Sequence, residues 1–313
     1  MPDGKWIPGL TVDTPVLEAA RRTLSLRLEV IEHYLPLAAR MPEKDIEYVH
    51  QLRVGTRRAR AALDIFADCV PDKVWKRARK RLRRIRHAAG DARDWDVFQE
   101  MLRDWSADRP AGELPGLDFL RGAAFQIRLA VQEELVDAAE KDLNRSEILA
   151  SLRESNGKRG PQRFGDMALP VLETAMADLN EAIAGNSTGY DYLHRIRILG
   201  KRLRYAMEVF ADCFREPLRE TIYPAVEEMQ EILGAANDSH IATQHLEVLR
   251  DNIKRAGRAD WLRGRPGVER LLQMHRRRLP EARKKFMAWR VRWKKISQPL
   301  SDLLLAPGGP AAK

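Results

Sequence analysis

The stretch His50-Gln-Leu-Arg53-Val-Gly-Thr-Arg57-Arg58-Ala-Arg60-Ala-Ala-Leu63-Asp-Ile-Phe66-Ala-Asp-Cys69 returns 144 residues later, without a gap, as His194-Arg-Ile-Arg197-Ile-Leu-Gly-Lys201-Arg202-Leu-Arg204-Tyr-Ala-Met207-Glu-Val-Phe210-Ala-Asp-Cys213. Nine of the twenty positions are identical. The same offset lays Gly90 over Gly234, Ala92 over Ala236 and Asp94 over Asp238, so the likeness continues into the next stretch of chain. A duplication of this kind predicts two similar helical bundles facing each other across a pseudo-two-fold axis, with the paired segments meeting at a shared surface or groove.

At about 100° per helical residue, His50, Arg53, Arg57 and Arg60 fall within an arc of about 80°, and Leu52, Ala59, Leu63 and Phe66 take the opposite side. His194, Arg197, Lys201 and Arg204 repeat the cationic stripe, with Arg58 and Arg202 at matching positions about a quarter turn away. One such face in a basic protein is ordinarily a solvated surface. Its recurrence, histidine included, favours a binding function. Arginine suits phosphate because its planar fork donates two parallel hydrogen bonds, and a protonated histidine adds charge.

Outward from this stretch the chain reads as all-α, since no segment alternates apolar and polar residues as a half-buried strand would. Helix starts are expected at Thr14-Pro15, at Pro42 and at Pro71, with the third helix ending at Gly90 and a fourth running from about Asp91 to Trp105. Loops are expected at 109–116 and 155–165, around one long middle helix, with later breaks near Gly185, Pro217, Gly234 and 264–267. The expected division is an N-terminal extension, 1–13, two helical halves, 14–158 and 159–297, and a flexible tail, 298–313.

Between Pro71 and Gly90 stand nine lysines and arginines against one acid, Asp72. Lys76, Lys80, Arg83 and His87 share a face, with Arg79 and Arg86 beside it and Trp75, Ala78, Leu82 and Ile85 opposite. The equivalent stretch, Phe214 to Gly234, holds two basic residues and five glutamates, so the first half is expected to carry more of the binding. A later run, Ile253 to Lys295, has sixteen basic residues against three acids and includes Trp261, Trp289 and Trp293. The apolar residues between them, Leu271, Leu272, Leu279, Phe286 and Val291, mark those tryptophans as core or edge residues rather than base-stacking platforms.

The whole chain has 313 residues, a net charge of +10 and a pI near 9.7, enough length for real apolar cores and a balance that calls for anionic partners. The only cysteines, Cys69 and Cys213, are too few for a disulfide framework, lack zinc-site spacing, and read as small buried residues near helix ends. No segment has the length of a signal-peptide core or a membrane span, and a cytoplasmic setting is expected.

These residues resemble a known family, the conserved histidine α-helical domain, or CHAD domain. Each half of that family carries a His-x-x-Arg-x-x-x-[Arg/Lys]-Arg-x-Arg helix and a Leu-Gly-x-x-[Arg/Asn]-Asp-type turn. Here these are His50 to Arg60 with Gly90-Asp-Ala-Arg93-Asp94, and His194 to Arg204 with Leu233-Gly234-Ala-Ala-Asn237-Asp238. The first turn departs by having Ala89 for the leucine, and the resemblance covers about residues 15–295. It implies two four-helix bundles around a basic central groove or pore that binds long-chain inorganic polyphosphate, and an association with polyphosphate granules. Many members are fused to a CYTH-type triphosphate-processing domain. The implied ligand contacts are His50, Arg53, Arg57, Arg58 and Arg60, then His194, Arg197, Lys201, Arg202 and Arg204. Lys76, Arg79, Lys80, Arg83, Arg86 and Arg93 are implied additions. Asp94 and Asp238 would be repelled by an anion, so a supporting role is expected, capping a helix or orienting an arginine.

Two other readings stay open at this point. A nucleic-acid-binding protein would satisfy the same charge, although the two stripes hold no aromatic except Tyr205. An enzyme acting on phosphoanhydrides would need clustered carboxylates for divalent metal, and the chain has no Glu-x-Glu-x-Lys motif, no P-loop and no His-Glu-x-x-His. No catalytic residue, metal or cofactor is therefore expected; each histidine sits among arginines that would repel a cation.

Overall fold

The computed structural model describes residues 5–141, 143–152, 162–185, 189–297 and 299–305. The described residues are helical almost throughout, with two isolated backbone bridges, Pro15 to Arg163 and Phe214 to Leu304, and no strands. The helices are α1 (Val16–Arg40), α2 (Glu47–Ile65), α3 (Asp72–Ser106), α4 (Leu114–Ala139), α5 (Arg145–Ala150), α6 (Phe164–Ala184), α7 (Tyr190–Phe210), α8 (Tyr223–Ala256) and α9 (Arg258–Ile296).

The 144-residue offset reappears in the element boundaries. α1 ends at Arg40 and α6 at Ala184, the short 3-10 turns span Ala67–Cys69 and Ala211–Cys213, and α4 and α9 begin at Leu114 and Arg258. Helices α1, α2, α3 and α4 each touch their counterparts α6, α7, α8 and α9. The apolar stripe read on α2 is the packed one: Leu52, Ala59, Leu63 and Phe66 are buried, and so are their equivalents Ile196, Leu203, Met207 and Phe210.

One apolar core runs through elements on both sides of the repeat and takes in the free cysteines Cys69 and Cys213 together with Trp289 and Trp293. A second, smaller core joins Phe98 and Leu102 of α3, Leu117 and Leu120 of α4, Leu246 of α8 and Leu271 of α9, among others. The two indoles are tied down, Trp289 Nε1 donating to the Ala225 carbonyl at 2.8 Å and Trp293 Nε1 to Asn180 Oδ1 at 2.7 Å, as core residues require.

Several expected breaks are absent. α3 runs through Gly90 and α8 through Gly234, because a lone helical glycine costs only about 1 kcal/mol and a long packed helix absorbs that. α9 likewise runs through Gly264, Pro266 and Gly267. The backbones of α9 and α4 cross closely here: a Cβ on Gly267 would stand 2.3 Å from the Glu113 carbonyl oxygen, and one on Gly116 of α4 2.1 Å from the Gly264 carbonyl oxygen. The expected middle helix instead ends at Ala139, and α5 follows Asn144, whose φ of 57° turns the chain. The expected loop at 155–165 and the division at 158/159 fall mostly on residues outside those described.

Both ends of the described chain are packed. Ile7, Leu10 and Val12 are buried, and the Gly9 amide donates to Asp212 at 2.8 Å. The tail, expected to be flexible, instead docks over its first residues: Leu300 and Leu303 are buried, and Leu305 N–H donates to the Cys213 carbonyl at 2.9 Å. Its apolar leucines explain this. Among the described residues no helix is long and apolar enough to cross a membrane.

Candidate functional site

The contact between α2 and α7 divides two cavities, one of about 910 Å³ and one of about 540 Å³. Arg53 and Arg57 of α2, with Arg197 and Lys201 of α7, line both. These four are two repeat-related pairs, so the cationic stripes read on separate helices form one partition. Arg60, Arg86, His194 and Arg202 line only the larger cavity, and His50, Arg93 and Arg204 only the smaller. Equivalent residues thus sit on opposite sides: His50 against His194, Arg60 against Arg204, Arg93 against Asn237.

The partition is under strong electrostatic pressure. Burial, then the charges of Arg57, Arg197, Arg53 and Arg204, holds the Lys201 ammonium down to a pKa of about 5. Burial brings Arg57 down to about 10 against the help of Tyr205, and three neighbouring arginines add to the fall. Arg197 is lowered by burial, with Asp238 opposing. Both histidines are lowered, first by burial and then, against the opposing Glu47 carboxylate at His50, by arginines: Arg93, Arg57 and Arg53 at His50, Arg197 at His194. Each of these groups would gain from an anion between them.

Some charges are already engaged. Arg53 donates to Asp94 Oδ1 at 3.3 Å, and Arg197 to Asn237 Oδ1 at 3.4 Å. Tyr190 OH donates to the same Asn237 oxygen at 3.1 Å and lies 3.2 Å from His194 Nδ1. Asp94 therefore orients an arginine, while Asp238 accepts from Asn237 Nδ2 at 3.3 Å; both stand mid-helix, so neither caps one. Arg60 lies 3.7 Å from Asp64, Arg93 3.8 Å from Glu100, and Arg202 bonds Asp178 at 3.0 Å.

Arg58 lies elsewhere. Its guanidinium forks onto Glu208 at 2.8 and 3.1 Å, and it lines neither cavity. Glu208 is fully buried and also receives Arg27 at 3.4 Å and the Tyr223 hydroxyl at 2.9 Å, so this knot ties α1 and α2 to α7 and α8. Removing one partner from such a buried group costs about 3–5 kcal/mol. The sequence signal for Arg58 was its match to Arg202, but the two are used differently because Glu208 is buried and its equivalent, Asp64, is not.

The α3 cations divide as well. Arg86 faces the larger cavity and is lowered by burial and then by Arg60, Arg53 and Arg83. Arg79 lies 3.4 Å from Asp64 and over the Trp75 ring at 4.9 Å. Lys76, Lys80 and Arg83 are exposed and line neither cavity, so the structure does not bring them to the partition. Of the face that carries them, only His87, one turn further on, lines the larger cavity. Residues the sequence did not single out also line the smaller cavity: Gln230, His245, His275 and Arg278. Nothing in their spacing signals it, since α8 and α9 meet there only through tertiary packing. Among the described residues no three His, Cys, Asp or Glu side chains gather as metal ligands do.

No curated protein matches the chain. The fold is similar to the crystal structure of the CHAD domain from the plant Ricinus communis, with a TM-score of 0.67 and 24% identity over 88% of this chain and 95% of that one. It is also similar to PptA from Streptomyces chartreusis, with a TM-score of 0.68 and 14% identity over 88% of this chain and 99% of that one. The CHAD domain pattern itself matches residues 22–247, well over half of the sequence and all of both stripes, and the chain belongs to the CHAD domain family.

Proposed function

We propose that this chain is a binding module for inorganic polyphosphate and not an enzyme. In this reading the halves 14–158 and 159–297 are pseudo-symmetric four-helix bundles around a basic groove, and the protein acts as an adaptor or brings itself to polyphosphate granules. The observation that carries it is the partition of Arg53, Arg57, Arg197 and Lys201, where among the described residues no carboxylate lies within ion-pair distance of Arg57 or Lys201. A half-buried cation cluster short of counter-charge is destabilising alone and becomes favourable when a polyanion threads it. Arginine forks fit successive phosphate oxygens, and Lys201 takes up a proton as the anion arrives. Family membership supports the choice of polyphosphate among polyanions.

The test is calorimetric titration of long-chain polyphosphate, short-chain polyphosphate and single-stranded DNA at near-physiological salt, with wild type and an Arg57→Gln, Lys201→Gln double variant. At about 1.5–3 kcal/mol for each charge-assisted contact, the variant should bind long-chain polyphosphate about 10²–10⁴-fold more weakly. DNA binding as strong as polyphosphate binding, or a variant that binds like wild type, would sink the reading.

A further inference from the structure

Beyond the shared cations the smaller cavity changes character. Its far wall is made by Val97, Phe98 and Met101 of α3, Ala242 and His245 of α8, and His275 of α9. His275 is 3% exposed, yet neither of its ring nitrogens has a hydrogen-bond partner. Ser239 is 2% exposed with an unpaired hydroxyl, and His245 Nδ1 and Gln230 Oε1 at the same cavity are unpaired too. One such group costs about 1–3 kcal/mol, and native proteins do not gather several around one space without something to fill it.

Burial lowers the pKa of each of these histidines to about 4, so at neutral pH they are uncharged rings that donate and accept hydrogen bonds. An inorganic phosphate chain finds further cations in this cavity, Arg93, Arg204 and Arg278, but gains nothing from the apolar and neutral-ring part of its wall, where it would shed water against Phe98 and Met101. The complementary ligand has two ends, one bearing phosphates and one planar and uncharged, with apolar faces and polar edges.

We propose that the smaller cavity binds a nucleoside polyphosphate, its phosphates toward Arg53, Arg57, Arg197 and Lys201 and its base against the wall of Phe98, Met101, His245 and His275. The volume of about 540 Å³ lies within the range of small-molecule sites. The phosphate end rests on the polyanion reading above; the base end does not.

The experiment titrates the full chain with ATP, GTP, CTP, UTP, inorganic triphosphate and long-chain polyphosphate, in wild type, His275→Leu and Ser239→Ala. At least one nucleotide should bind about tenfold more tightly than triphosphate, the worth of one or two hydrogen bonds and a stacked face. His275→Leu, which replaces the ring and its nitrogens with an apolar side chain of similar size, should abolish that advantage while leaving triphosphate and long-chain affinities unchanged. Ser239→Ala, too conservative to unfold the chain, should narrow it a few-fold. Equal affinity for triphosphate and every nucleotide in wild type, or an advantage that survives His275→Leu, overturns the proposal. A His275-dependent nucleotide advantage in a chain that ignores long-chain polyphosphate supports the nucleotide site while the polyphosphate reading fails by itself.

Discussion

The two halves use the same residues for different ends. Arg58 and Arg202 occupy equivalent positions, as do Asp64 and Glu208. At the larger cavity Asp64 of the first half is exposed beside Arg60 and Arg79, and Arg202 of the second half reaches outward to Asp178. Across the partition Glu208 is buried and gathers Arg27, Arg58 and Tyr223 into a knot between halves. The cavities differ in the same spirit: Arg86 and His87 at the larger one are matched by Gln230 and Glu231 at the smaller. The 144-residue repeat supplies a symmetric set of charges, and burial decides which of them are framework and which line the cavities.

The sharpest way to break this comparison is to truncate the two carboxylates. Glu208→Ala should cost about 3–5 kcal/mol of stability by leaving buried arginines uncompensated, whereas Asp64→Ala should change it by about 0.5 kcal/mol or less. Chemical denaturation of both variants reads this directly, and similar losses would end the distinction between framework and site.

The arginine pair sharpens it further. Arg58→Gln should lower stability by about 3 kcal/mol or more with little change in polyphosphate affinity, since two charged hydrogen bonds to Glu208 are lost outside the cavities. Arg202→Gln should leave stability within about 0.5 kcal/mol and weaken polyphosphate binding a few-fold. Denaturation and titration on the same two proteins separate the roles; a binding defect in Arg58→Gln larger than in Arg202→Gln would reverse them.

The smallest effect is a pH dependence centred on Lys201. With its pKa held to about 5 in the unbound protein, it is mostly neutral at pH 7, and an anion raises that value. Binding then takes up a proton, so affinity tightens as pH falls from the bound value toward 5, by at most about tenfold per pH unit for each proton, and levels off below. His50 and His194, lowered in the same direction, add to the uptake at the acidic end. Calorimetry in buffers of different ionisation heat counts the protons, and Lys201→Arg should flatten the profile. A flat wild-type profile between pH 8 and 5.5 would place the anion away from the partition.

Much of this was legible in the chain itself. The faces of α2 and α7 follow from a 3.6-residue period, so Leu52, Leu63 and Phe66 could be read as core and Arg53 and Arg57 as the opposite stripe. Gly90 and Gly234 misled because glycine is a weak helix former rather than a stop, and the packing of α3 and α8 overrides it. Lys76, Lys80 and Arg83 share a helix with Arg86 but not its neighbours, and one helix cannot say which of its turns will meet another. The tail showed the same limit, since docking of Leu300 and Leu303 depends on a surface made by distant residues.

By itself the sequence determined the helices, the 144-residue repeat and the two cationic stripes, because periodicity and repetition are local properties of the chain. Only the tertiary structure decided that the stripes meet in one partition, that Arg58 belongs to a buried knot, and that His275 and Ser239 stand unpaired around a cavity. Burial and charge compensation depend on residues distant from one another in the chain, and no local pattern encodes them.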